Sequence, residues 1–173
     1  MGFQKTVELQ TAIGTPGLEV NPGQAVYTAF NYVSDGTVQA GTFAFAGTAA
    51  SGTGEAFGIA SIKTASSGAL LGFVERNLVS ALMPDDEGNN VYTAGVGLSI
   101  AKRGQYYAIA TGSATAGQAV LCDPTTGNVT YGTAGTTNDT GWRVVLPQGV
   151  TTVSEGDIVI YENLGVDVPT AGA

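Results

Sequence analysis

The side chains that most often carry chemistry are sparse in this sequence, and the missing ones are informative. There is no histidine among the 173 residues. That removes Ser-His-Asp and Cys-His nucleophile arrangements, the usual proton shuttle near neutral pH, and the commonest zinc and iron ligand. The single cysteine, Cys122, falls in the apolar run Val120-Leu121-Cys122 with no base to activate its thiol, so it reads as a small buried apolar group. One cysteine also forbids an intrachain disulfide, which fits synthesis in a reducing compartment.

The carboxylates and short motifs give equally little. Glu75, Asp85 and Glu162 could converge as a glycosidase pair, yet nothing selects two of them. Asp85-Asp86-Glu87-Gly88-Asn89-Asn90 offers oxygen ligands but lacks the alternating spacing and closing glutamate of a calcium loop, and reads as a solvated acidic turn. Gly52-Thr53-Gly54 with Gly58 echoes a dinucleotide fingerprint, but neither follows a strand nor opens a helix. Met1-Gly2 with Thr6 fits N-myristoylation, and Asn128-Val129-Thr130 and Asn138-Asp139-Thr140 fit glycosylation sequons. Each is short enough to arise by chance and needs eukaryotic machinery. No catalytic residue, cofactor or metal is expected. Arg76 and Arg103, two of only six cations, fall at strand ends or turns, where a guanidinium fork can pair with a partner's carboxylate or simply solubilise the surface.

The elements that must hold these groups are short strands. In Ala116–Tyr131, Val120-Leu121-Cys122 suits a strand, Asp123-Pro124 opens a turn, Gly127-Asn128 tolerates positive φ, and Val129-Thr130-Tyr131 returns as a second strand. Its lead-in, a small or acidic residue and Gly before an apolar stretch, recurs at Pro22-Gly23, Ala40-Gly41, Ala94-Gly95 and Glu155-Gly156. Strands are also expected at Ala25–Val33, Gly41–Phe45, Ile59–Lys63, Leu70–Arg76, Trp142–Leu146 and Ile158–Tyr161. Ala65-Ser66-Ser67-Gly68 has hairpin chemistry between two of them, and Leu98–Lys102 and Gln105–Ala110 are expected to meet in a hairpin at Arg103-Gly104. Leu78–Met83 suits a strand or one helical turn, ended by Pro84. Tyr106 and Tyr107 should face opposite ways, so that only one is core in a one-sided sheet.

With 26 glycines and 12% charged residues against 43% hydrophobic ones, the chain has the composition of an ordered, turn-rich β protein and not of a disordered one. Its fold class is expected to be all-β, a single-domain β-sandwich or β-barrel of many short antiparallel strands with an extended N-terminal arm. The division expected is an arm over residues 1–20, a β domain over 21–166 and a flexible tail over 167–173. Ordering an arm of about 15 residues costs on the order of 15–30 kcal/mol of backbone entropy, so it must lie along a surface, its own or a neighbour's. A net charge of −8 and a pI near 4.1 repel phosphate backbones, which argues against nucleic acid as a partner. No apolar run approaches the ~18 residues of a membrane span, and Met1–Gln10 lacks the apolar core of a signal peptide, so neither a membrane nor export is expected.

Several stretches resemble, in order, the structural cement or capsid decoration proteins of tailed bacteriophages. They are Met1-Gly2-Phe3-Gln4-Lys5-Thr6-Val7, the central Gly72-Phe73-Val74-Glu75-Arg76-Asn77, the Ala94-Gly95 lead-in to Leu98–Ala110, and the Ala116–Tyr131 hairpin. The resemblance implies a non-enzymatic β-rich protein, made in the host cytoplasm and carried on the outer capsid surface of the virion. There it would stabilise contacts between major capsid protein subunits, and it would self-associate as a dimer or trimer. Capsid-contact candidates under this reading are Phe3, Lys5, Val7 and Leu9 in the arm, with Arg76 and Arg103. The alternative is a carbohydrate- or receptor-binding β module of a phage tail or fibre, which needs an exposed aromatic platform from Tyr106, Tyr107 or Trp142.

Overall fold

Gly23, Gly41, Gly95, Gly117 and Gly156 all adopt positive φ, between 81 and 93°, where a Cβ would crowd the backbone. Each turn launches a strand two or three residues later. The computed structural model describes residues 14–47, 58–62, 68–77, 82–84 and 90–165. The first strands are β1 (Val26–Tyr27), β2 (Tyr32–Ser34), β3 (Phe43–Ala46), β4 (Gly58–Ser61) and β5 (Leu70–Val74). Next come β6 (Leu82–Pro84), β7 (Asn90–Tyr92), β8 (Gly97–Leu98), β9 (Ile100–Ile109) and β10 (Ala114–Thr115). The last are β11 (Ala119–Cys122), β12 (Val129–Gly132), β13 (Asp139–Val145), β14 (Thr152–Val153) and β15 (Ile158–Asn163). No helix occurs among the described residues. The protein is all-β, as its composition and turn chemistry require.

Among the described residues, eleven strands form one sheet in the order β12-β11-β13-β15-β9-β5-β3-β4-β2-β8, with β1 added on β9, and β10–β14 and β6–β7 make two small ribbons. The sheet is mixed and not wholly antiparallel, because β2 and β4 run parallel, Tyr32 opposite Gly58 and Ser34 opposite Ala60. The hairpin of β11 and β12 forms as expected, Val120 opposite Tyr131, with Gly127 at φ 75° and its N–H bonded to the Asp123 carbonyl at 2.7 Å.

Three local expectations are corrected. Arg103-Gly104 does not reverse the chain, since β9 runs through it from Ile100 to Ile109. Gly104 instead takes φ 137°, and a Cβ there would come within 2.9 Å of the Tyr106 ring, so the glycine bends the strand. Before the bend β9 pairs with β5, Ala101 opposite Phe73, and after it with β15, Gly104 opposite Asn163 through Ile109 opposite Ile158. Second, β4 and β5 do not form a hairpin, because β3 lies between them and pairs with both. Third, Ala25–Val33 splits into β1 on β9 and β2 beside β8.

Because β8 continues into β9 across Ser99, the path β9-β5-β3-β4-β2-β8 returns to its own strand and closes on itself. Inside lie Val38, Ala44, Ala60, Leu71, Val74, Tyr92 and Ile100. Strand alternation sends Phe43, Phe45 and Phe73 to the other face, where they meet Tyr106, Trp142 and Tyr161 of the second half. Phe43 and Phe73 pack edge to face with ring centres 5.4 Å apart, and Phe73 lies 5.5 Å from Trp142. Burying each such ring contributes roughly 1.5–3 kcal/mol, and a favourable ring pair ~0.5–1.5 more. The closed half and the open half are thus joined by one bent strand and one aromatic core.

Candidate functional site

Within Gly72-Phe73-Val74-Glu75-Arg76-Asn77, successive residues meet different parts of the molecule. Gly72 has φ 146°, and a Cβ would stand 2.2 Å from the Ala101 carbonyl oxygen, so only glycine lets β5 press this closely on β9. Phe73 enters the aromatic core and Val74 the closed half. Beyond the strand, the Glu75 N–H donates to the Ser99 carbonyl at 2.9 Å. The buried Tyr92 hydroxyl donates to the Glu75 carbonyl and accepts from the Asn77 N–H, both at 2.7 Å. One phenol therefore fixes the chain on both sides of Arg76.

Arg76 holds the root of the N-terminal arm. Its N–H donates to the Gly17 carbonyl at 2.8 Å and its Nε to the Pro16 carbonyl at 3.0 Å. Gly17 is buried at φ 87°, and a Cβ there would meet Arg76 Cβ at 2.9 Å and the Gly41 nitrogen at 3.0 Å. From this point the chain lies along β9. Gly17 N–H donates to Tyr107 (2.7 Å), Tyr107 N–H to Leu18 (3.0 Å) and Val20 N–H to Gln105 (2.8 Å), with β1 and Thr28 following to Ile100 (3.0 Å). The Glu19 carboxylate folds the intervening turn by accepting the N–H groups of Gly23, Gln24 and Ala25 at 3.3, 3.1 and 3.0 Å. Asn21 donates to Gln105, which in turn donates to Glu162. Residues 14–28 are therefore a strand-like strap on β9.

The strap forms one wall of a groove of about 330 Å³ lined by Tyr27, Thr28, Phe30, Asn31, Glu75, Leu98, Ser99 and Ile100. Tyr27 and Phe30 are 43% and 69% exposed at its rim. The Glu75 carboxyl is held above the usual carboxylate range, first by burial; the Tyr27 hydroxyl beside it opposes the rise and the negative charge of Glu19 adds to it. The Tyr106 hydroxyl lies fully buried in the field of these groups, next to that of Tyr27, and burial pushes its pKa up.

A family model described as structural cement protein (E217 gp24/Pam3 gp6) matches residues 3–163 of this chain. The chain belongs to that family. No curated protein matches it. As a phage structural cement protein it is a capsid component of the virion with a capsid-stabilising role, associated with capsid proteins.

For a cement protein the surfaces that matter are those that meet a neighbour. Of the arm candidates, Phe3, Lys5, Val7 and Leu9 lie outside the described residues. Arg76 is half-buried and turned onto the arm's own carbonyls. Arg103 is exposed on β9 opposite Val26, with its guanidinium beside Gly165. The structure therefore separates the two arginines, Arg76 at the root of the strap and Arg103 on β9 beside Gly165. Of the aromatic platform candidates, Tyr106 and Trp142 are core, 0% and 1% exposed, which leaves only Tyr107 partly accessible.

The carboxylates do not assemble a hydrolytic pair among the described residues. Glu75 borders the groove while Glu162 bonds Gln105, and Asp85 lies outside the described residues. No group of three potential metal ligands occurs among the described residues. Cys122 is buried and its thiol is pushed up to about 12, first by burial and then by the charge of Asp123, which leaves it protonated and inert.

One polar feature was missed from sequence. Asp139, its side chain 1% exposed, takes a two-pronged ion pair from Arg143 at 2.8 and 3.2 Å and accepts the N–H groups of Gly135 and Gly141 at 2.6 and 2.9 Å. Burial alone would raise its pKa, but Arg143 and the two N–H groups outweigh it and hold the carboxyl below its usual range. The spacing gave no signal, because residues four apart in a regular strand stand about 13 Å apart; in β13 the register slips against β11 around Gly141, which has φ 80°, and Arg143 reaches Asp139 across that irregularity.

Proposed function

We propose that this cement protein binds the outer surface of a tailed-phage head and clamps neighbouring major capsid protein subunits, acting without catalysis. The observation that carries the reading is the family match over residues 3–163, nearly the whole chain. Several physical features support it. The net charge of −8 disfavours packaged DNA and nucleic acid generally as the partner. Residues 14–28 form a strap on β9 whose root at Pro16 and Gly17 is held by Arg76, and the arm candidates Phe3, Lys5, Val7 and Leu9 precede that root in the sequence, where strand addition to a neighbour's edge would use them. Arg103, exposed on β9, is the second cation placed at the capsid contact. Self-association as a dimer or trimer lets one particle touch several capsid subunits at once, so modest contacts add through effective concentration. The protein is made in the host cytoplasm and no membrane enters the scheme.

Deletion of Gly2–Leu9 tests the arm. The shortened chain is expected to keep the circular dichroism and melting of the full protein, because the strap from Gly17 onward is untouched, yet to occupy heads lacking the protein at much lower density. Saturation equal to that of the full chain would remove the arm from the mechanism.

A further inference from the structure

The groove beside the strap has the composition of a receptor for a cationic side chain. Its one carboxylate, Glu75, is half-buried and meets no cation in an ion pair among the described residues. Glu19 adds a second negative charge to the same field, and both of its oxygens are committed to backbone N–H groups, so it cannot turn away. Two aromatic rings, Tyr27 and Phe30, stand exposed at the rim. Below them lies the buried Tyr106 hydroxyl, next to that of Tyr27. A desolvated carboxylate under exposed aromatic faces is a poor arrangement for the isolated molecule. It becomes a good one when a guanidinium enters, pairing its fork with the carboxylate and laying its plane on a ring.

We propose that the groove lined by Tyr27, Phe30, Glu75 and Leu98 seats an arginine side chain presented by a capsid subunit. The occupant is argued from charge: a chain carrying −8 overall favours a basic partner surface, and the groove is where negative charge, aromatic surface and partial desolvation coincide. Its volume of about 330 Å³ admits one such side chain with its apolar stem along Leu98 and Ile100. This inference rests on the capsid-clamping reading for the identity of the partner, but not for the chemistry of the groove.

Two measurements test it independently. In the first, the full chain and the Glu75→Gln and Phe30→Ala variants are titrated onto heads lacking the protein. Glu75→Gln should bind about tenfold more weakly, the scale of one lost charge-assisted contact, and Phe30→Ala several-fold more weakly. Phe30 is so exposed that its removal leaves folding intact, which covers the case of a misfolded Glu75→Gln. Unchanged affinity in both variants would overturn the groove while leaving the clamp standing. In the second, the free protein is titrated with N-acetyl-arginine methylamide and followed by NMR. Shifts confined to Thr28, Phe30, Glu75 and Ser99, and abolished by Glu75→Gln, are expected. Their absence would overturn the groove whether or not heads are bound, and failure of the wild-type chain to bind heads would overturn the clamp alone.

Discussion

Asp139 and Glu75 are both withdrawn from water, yet the molecule treats them in opposite ways. Asp139, on β13, is closed off with its own arginine and two backbone donors, so every lone pair that burial strips of water is satisfied internally. Glu75, just past β5, is brought partway into the protein beside a phenol and a second carboxylate, and its pKa moves up where that of Asp139 moves down. The first arrangement serves the fold and the second costs it. A carboxylate held in an unfavourable place by a chain pinned on both sides, as Tyr92 and Ser99 pin Glu75, has the form of a group kept for a partner.

The comparison breaks most sharply at Asp139. Asp139→Ala strands a largely buried guanidinium and two N–H groups, so about 3 kcal/mol of stability should be lost in urea unfolding. The loss should depend on pH with a definite sign. A carboxyl whose folded pKa is depressed contributes stability that is complete above its unfolded value of about 3.9 and disappears as pH falls through the folded value. Wild type and variant should therefore differ fully at pH 7 and converge in acid; a constant difference down to strong acid would show that the ion pair is not its source.

A smaller effect is expected at Tyr92→Phe, which keeps the ring in the closed half but frees the Glu75 carbonyl and the Asn77 N–H. A loss of about 1–2 kcal/mol should accompany faster amide exchange at Glu75 and Asn77, with exchange in β13 unchanged. If exchange rose equally in both regions, Tyr92 would be a general packing residue and not the pin of this corner.

Smallest in stability and opposite in sign is Glu75→Gln. Because its folded pKa is raised, ionised Glu75 lowers stability as pH climbs from its unfolded value near 4.3 through the folded one. At pH 7 the amide should thus match or slightly exceed wild type in melting temperature, and the advantage should vanish in acid. Marked destabilisation at pH 7 would mean that Glu75 serves the fold as Asp139 does.

The legible parts of this molecule were those set by local chemistry. Asp123-Pro124 and Gly127 specify their turn within a few residues, and the glycine lead-ins announce strands because positive φ is needed at each. Arg103-Gly104 misled for the same reason, since a glycine after a polar residue reads alike whether it turns the chain or only bends it; the decision rests on β5 and β15 waiting on either side of the bend. The insertion of β3 between β4 and β5 and the parallel β2–β4 pair are long-range choices that no window of sequence contains. Likewise Arg76 was visible as a rare cation, but its use on the Pro16 carbonyl depends on residues 60 positions away. The groove around Glu75 draws on three separate segments, and only the Gly72–Asn77 stretch hinted at it.

The most direct test of the central claim is the temperature at which heads release DNA, measured on heads lacking this protein before and after it is added back. The account predicts release at a distinctly lower temperature without it, restored by the full chain to the value of complete heads. Equal release temperatures with and without the protein would contradict the cementing role.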